Sequence, residues 1–176
     1  MNFSRAKLLG TGSALALIGP ALLGPFIAAA EAASEGDIAI LQFAAKSERT
    51  AIKAYTDAAG TGLLSAPVLA VAKGFMADHM AHRDALEGAI KAAGMTPETG
   101  VVAVTYPPLH SEADILNFAE TLERGAATAY LGAIPGFQDK NLAKVAGSIL
   151  GVETTHVAIL NYVLTKSTEP YKDFVS

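Results

Sequence analysis

The chain has no cysteine and no tryptophan, only 7% of its residues are aromatic, and neither sign of charge is concentrated. Without cysteine there is no disulfide framework, zinc ribbon or iron–sulfur cluster, and any metal must be held by oxygen and nitrogen donors. With few aromatics in a chain that is 51% apolar, the core must come from Ala, Leu, Val and Ile, which suits close helix packing better than a β-sandwich. Thirteen Lys and Arg against seventeen Asp and Glu give a net charge of −4, with the basic residues scattered along the sequence. That pattern offers no basic patch, so no nucleic-acid partner is expected. A length of 176 residues predicts one domain with a full core.

The first 33 residues differ from the rest. Arg5 and Lys7 precede an apolar run from Leu8 to about Ala30, and Ala30-Glu31-Ala32 has the form of an A-x-A cleavage site. The run contains four Gly and two Pro, which makes it a poor permanent span, so residues 1–33 read as a signal peptide or, if uncleaved, an N-terminal membrane anchor. Ser4-Arg5-Ala6-Lys7 has the outline of a twin-arginine signal without its second Arg. The mature protein is expected to begin near Ala33 and to work in the periplasm or otherwise outside the cytoplasm.

What the chain does contain is one pattern written twice. Residues 40–55 and 115–130 match at nine of sixteen positions at an offset of 75, among them Glu48-Arg49 with Glu123-Arg124, and Tyr55 with Tyr130. Downstream, His79-x-x-His82 aligns with Glu153-x-x-His156 at an offset of 74. The pattern predicts two helical hairpins, each with a Glu on its first helix and an x-x-His pair on its second.

Cap and stop residues delimit four helices: about Asp37 to Ala58, Ser65 to Gly94, Ser111 to Ala133 and Asn141 to Thr165. The first connection is about six residues and the third about seven, so each pair folds back as an antiparallel hairpin. The connection between the pairs runs from about Met95 to His110 and contains Pro97, Pro107 and Pro108; Val101 to Thr105 within it could be extended. The expected fold is all-α, with the bundle over 34–166 and a tail at 167–176.

At 1.5 Å rise per residue, folding each hairpin brings Glu48 level with His79 and His82, and Glu123 level with Glu153 and His156. Two hairpins stacked face to face would gather three Glu and three His in one layer. So many ionisable groups are costly in an apolar core unless neutralised. Two divalent cations would do so, and mixed carboxylate and imidazole donors suit iron, manganese or zinc.

Glu, x-x-His, Glu and Glu-x-x-His on four successive helices resembles the ferritin-like superfamily, in particular its rubrerythrin-like branch and the exported bacterial ferritin-like domain proteins. The resemblance spans about residues 37–165. It implies a ferritin-like four-helix bundle made of two duplicated hairpins joined by a long crossover. It also implies a dinuclear iron or manganese site, with Glu48 and His82 on one ion, Glu123 and His156 on the other, and Glu153 bridging. His79 stands where a second bridging Glu would be. A neutral imidazole ordinarily serves one ion, so fewer than two ions is an open outcome. Asp78 is turned about 100° from the ligand face and is not expected to substitute.

Other readings stand beside this one. Glu48 and Glu123 are each followed by Arg and could be ion-pair members, and the six groups could form a metal-free polar layer that specifies pairing. Tyr55 and Tyr130 could be radical relays or donors to the ligands, but a satisfied buried phenol is the commoner case. His110, in the crossover, reads as exposed. The apolar fourth helix raises the prospect of a homodimer or a membrane-complex partner. The function implied is metal-dependent redox chemistry on a small oxidant, peroxide or dioxygen, of peroxidase or ferroxidase type. The alternative is a non-catalytic extracytoplasmic helical scaffold or binding protein with a degenerate metal site.

Overall fold

The computed structural model describes residues 33–166; the expected signal peptide or anchor at 1–33, but for its last residue, and the expected tail at 167–176 lie outside them. Among the described residues four long helices make the fold: α1 (Glu35–Gly60), α2 (Ala66–Ala92), α3 (Glu112–Ala133) and α4 (Lys140–Thr165), with a 3-10 turn, Ile134–Gly136, between α3 and α4. The described residues contain no strand, and the Val101 to Thr105 segment is irregular. None of the described helices is long and apolar enough to cross a membrane.

The helix ends follow from local chemistry. Ser34 and Asp37 form a capping box on α1, Ser111 accepts from Asp114 N on α3, and Asp139 accepts from Asn141 N on α4, satisfying amides that the first turn of a helix leaves unpaired. Pro67 sits in the first turn of α2, where it costs no hydrogen bond. Beyond α2, Gly94 takes φ +78°, a left-handed conformation that lets the chain leave the helix.

The crossover is tied along α1. Gln42 bonds the Thr96 carbonyl and the Glu98 amide, Thr50 accepts from Val102 N, and the Tyr106 hydroxyl donates to Asp57. These partners advance along both segments together, so the crossover runs the length of the bundle and delivers α3 beside the end of α1. Hence α3 runs antiparallel to α1. Two hairpins with this one long connection make a ferritin-like bundle.

The helices within each hairpin pack closely, whereas the hairpins touch one another less. Between them the apolar core falls into two clusters. One contains Leu41, Leu86, Ile90, Leu142, Val145 and Ile149; the other contains Tyr55, Ala72, Phe75, Leu116 and Leu160. The polar layer lies between these two clusters. Most of the long apolar face of α4 is spent in this packing, and Tyr162 is its large apolar residue left half exposed.

Asp37 does a second job. Its carboxylate, 1% exposed, accepts from the amides of Gln138 and Asp139 at 2.7 and 3.2 Å, locking the start of α1 to the start of α4. Asp37→Ala would remove the partner of these partly buried amides as well as opening the capping box. We expect it to cost about 2–3 kcal/mol in chemical denaturation, with the metal stoichiometry of the folded protein unchanged.

Candidate metal centre

Each of the two matched segments places its Glu mid-helix, turned about 100° from the Arg that follows it. Arg49 pairs with Glu87 at 2.7 Å and Arg124 with Glu120 at 2.7 Å, so neither Arg neutralises the Glu beside it. Glu48 and Glu123 turn inward instead. All six predicted residues meet in one layer: Glu48, His79, His82, Glu123, Glu153 and His156 are each at most 4% exposed. They form two overlapping groups of four, Glu48–His79–His82–Glu153 and His79–Glu123–Glu153–His156, within which donor atoms lie no more than 4.8 Å apart. His110 takes no part.

His79 stands between the two Glu that come from different hairpins. Its Nδ1 is 2.8 Å from Glu48 Oε2 and its Nε2 is 3.1 Å from Glu123 Oε1. Glu153 faces the flanking histidines: Oε1 is 3.0 Å from His82 Nδ1, and Oε2 is 3.7 Å from His156 Nδ1. His156 Nδ1 also lies 3.1 Å from Glu123 Oε2.

Aromatic groups surround these donors. Tyr55 Oη donates to Glu123 Oε1, and Tyr130 Oη donates to Glu48 Oε1 at 2.5 Å. Each phenol therefore serves the Glu of the opposite hairpin, as the antiparallel course of α1 and α3 requires. They are satisfied buried phenols that donate to the site's carboxylates. Phe75 stacks on the His156 ring with centroids 3.8 Å apart, closing that side to water.

Asp78 sits off the inner face, as its one-residue step dictates, but sequence reasoning missed what it does from there. Its Oδ2 is 3.1 Å from His156 Nε2. That contact orients the ring with Nδ1 toward the centre, as carboxylates behind metal-binding imidazoles do. No sequence pattern signals this contact, since a one-residue step from the ligand face does not say what the side chain meets across the bundle.

The electrostatics are those of a proton-filled donor set. Burial alone would raise the carboxyl pKa of Glu48, but hydrogen bonds and charge from His79 and His82 outweigh it and hold Glu48 at about 2. Glu123 is likewise held well below the usual range, burial being overcome by His156 and His79. Burial works to lower His82 and His156, yet the carboxylates facing them raise these rings to about 9 and about 10. Glu153 is the exception: burial dominates and pushes its carboxyl up. Proximity to His82 and His156 does not make good bonds, for neither Glu153 oxygen, nor His82 Nδ1, meets hydrogen-bond geometry. A fully buried carboxylate with both oxygens unsatisfied is costly in a protein core, and a cation between Glu153 and the imidazoles would satisfy all three atoms. The donor set fits a metal.

A narrow cleft between α1 and α3 reaches this layer. It encloses about 60 Å³, is walled by Ala44, Ala51, Ala126 and Ala129 with Phe43 among its lining residues, and touches Glu48 and His79. The space suffices for a few waters or one very small molecule.

The ferritin-like domain family matches residues 36–166, and the chain belongs to that family. Among solved structures it is similar to a conserved hypothetical protein, rv2844, from Mycobacterium tuberculosis, with 22% identity over 78% of this chain and 95% of that one, at a TM-score of 0.67. It is also similar to a ferritin-like, diiron-carboxylate protein from Bacillus anthracis str. Ames, with 20% identity over 75% of this chain and 99% of that one, at a TM-score of 0.64. At these identities the likeness establishes the fold. Comparison with curated proteins finds no match.

Proposed function

We propose that this chain is a metal-dependent redox protein that holds iron or manganese in the Glu48, His79, His82, Glu123, Glu153, His156 layer and acts on peroxide or dioxygen. The observation that carries the reading is Glu153: a buried carboxyl with two unsatisfied oxygens, each turned toward a different imidazole. Iron or manganese bound there would supply one-electron chemistry between the +2 and +3 states inside a site shielded from bulk water. The protein's own groups do the rest. Tyr55 and Tyr130 hold Glu123 and Glu48 in place by donating to one oxygen of each, Asp78 orients His156, and the two apolar clusters on either side of the layer exclude water. The diiron-carboxylate naming of the Bacillus anthracis neighbour agrees with this reading. The leader at residues 1–33 would place the activity outside the cytoplasm.

The test is metal content by plasma mass spectrometry on protein purified without chelator or affinity metal, with Glu48→Ala, Glu123→Ala as the control. Iron or manganese bound to wild type and lost in the double variant supports the reading, and peroxide turnover by the loaded protein completes it. Absence of metal from both would leave the duplicated helical scaffold instead.

The oxidant would reach the layer through the α1–α3 cleft. Ala126→Leu should narrow that cleft and slow oxidation of the loaded protein by peroxide at least about tenfold. Stopped-flow absorbance would measure the rate and mass spectrometry should find the metal content unchanged. An unaltered rate would send the oxidant by another path.

A further inference from the structure

The geometry points to His79 as a bridging ligand. We propose that one ion binds its Nδ1 and another its Nε2, so that an imidazolate and the Glu153 carboxylate together span the two halves of the centre. This rests on the proposed function in requiring that the layer binds metal; it goes further in assigning the number of ions and what joins them.

Three observations carry it. First, His79 belongs to both four-residue groups, a place it shares only with Glu153. Second, its two ring nitrogens face opposite ways, Nδ1 toward Glu48 at 2.8 Å and Nε2 toward Glu123 at 3.1 Å, and these carboxylates come from different hairpins. Third, the remaining donors divide evenly about it. Glu48 Oε2, His82 Nδ1 and Glu153 Oε1 gather on the Nδ1 side; Glu123, His156 Nδ1 and Glu153 Oε2 gather on the Nε2 side. The His82 and His156 rings flank His79 with centroids 6.0 and 5.5 Å away. Each side thus offers one Glu, one terminal His, one nitrogen of His79 and one oxygen of Glu153, a four-donor set of the kind that divalent transition metals accept.

A neutral imidazole has one free lone pair, which is why the sequence alone suggests a ligand to a single ion. With both nitrogens directed at donor sets, binding the second ion displaces the remaining N–H proton to solvent and frees the second lone pair. No other bond changes. The separation of the ions then reports the bridge. Two metal–nitrogen bonds of about 2.1 Å on opposite edges of an imidazole ring put the ions about 6 Å apart, whereas compact two-metal sites hold them at about 3.5–4 Å.

The experiment loads the folded protein with manganese(II) and measures ions per chain by mass spectrometry and their separation by X-ray absorption and electron paramagnetic resonance. Wild type is compared with His79→Glu and His79→Gln, each checked for helicity by circular dichroism. Two manganese ions about 6 Å apart in wild type, and at most one held tightly in His79→Gln, support the bridge. The His79→Glu protein should hold two ions at about 4 Å. Two ions already within about 4 Å in wild type would overturn it, as would a single ion in wild type alongside two in His79→Glu; either leaves the metal site itself standing. No manganese in wild type or His79→Glu overturns the metal reading, and the bridge falls with it.

Discussion

Glu153→Gln is expected to empty both halves of the centre and, in the same stroke, to make the metal-free protein more stable. Glu153 is the one carboxylate that belongs to both four-donor groups, so its loss removes an oxygen from each. Bound metal should fall to less than about a tenth of the wild-type amount, because a missing charged donor in a dry site is not replaced by water. Glu48→Gln and Glu123→Gln each touch a single group and should each cost about one ion. The stability effect has the opposite sign. The wild-type carboxyl is fully buried, its oxygens lack hydrogen bonds, and burial raises its pKa, so its ionised form opposes folding at alkaline pH, where His82 and His156 have lost the protons that offset its charge. Glutamine keeps the shape, carries no charge and can donate to the neighbouring carboxylates. Relief of one buried unsatisfied group amounts to about 1–3 kcal/mol, or about 3 °C or more in thermal midpoint for a domain of this size. Calorimetry of chelator-treated wild type and variant at about pH 10, where His82 and His156 are largely neutral, would measure it. A midpoint lowered by several degrees would mean that Glu153 is a structural member of the layer rather than a group held in reserve for a cation.

Most of this architecture was legible in the sequence because each element is announced by short-range chemistry. Ser34, Ser65 and Ser111 mark helix starts, Gly94 and Pro135 mark ends, and the loop lengths fix the hairpins. The site was legible for a different reason. Glu48 and Glu123, and the two x-x-His pairs, recur at nearly one offset, and helical spacing then leaves each hairpin a single register that brings its three groups level. What the sequence did not reveal is chiefly what crosses from one hairpin to the other. Helical periodicity says which face a residue occupies but not what it meets there, so the reach of Tyr55 to Glu123, Tyr130 to Glu48 and Asp78 to His156 had no sequence signal of its own. The same holds for Asp37, which reads as a cap residue yet also ties α1 to the start of α4, and for the crossover, whose partners on α1 are single polar residues with no motif. The two orientations of the His79 nitrogens belong to this class too. They depend on the hairpins facing each other squarely.

The metal-free protein should lose stability as the pH rises from about 6.5 to 10, and metal should abolish that loss. His82 goes from its ordinary 6.5 to about 9 on folding, and His156 to about 10, because the facing carboxylates overcome the penalty of burial. A raised imidazole pKa contributes stability that is fully present below 6.5 and disappears as pH climbs through the folded value. Glu48, lowered from 4.5 to about 2, acts the other way: its contribution is complete above 4.5 and is lost only as pH falls toward 2. The most stable window of the metal-free protein is therefore about pH 4.5–6.5. The rise of His82 alone corresponds to about 3 kcal/mol, and the depression of Glu48 reflects the same contacts and is not added to it. In thermal terms the midpoint should drop by about 10 °C between pH 6 and pH 9.5. Bound ions take the place of the protons on the imidazoles, so the loaded protein has none to lose over this range, and its affinity for metal should increase with pH. Thermal melts across pH with and without manganese(II) measure both limbs. His82→Gln should make the alkaline limb of the metal-free protein shallower and leave the part carried by His156; a limb of unchanged depth in that variant would place the responsible proton elsewhere than on His82.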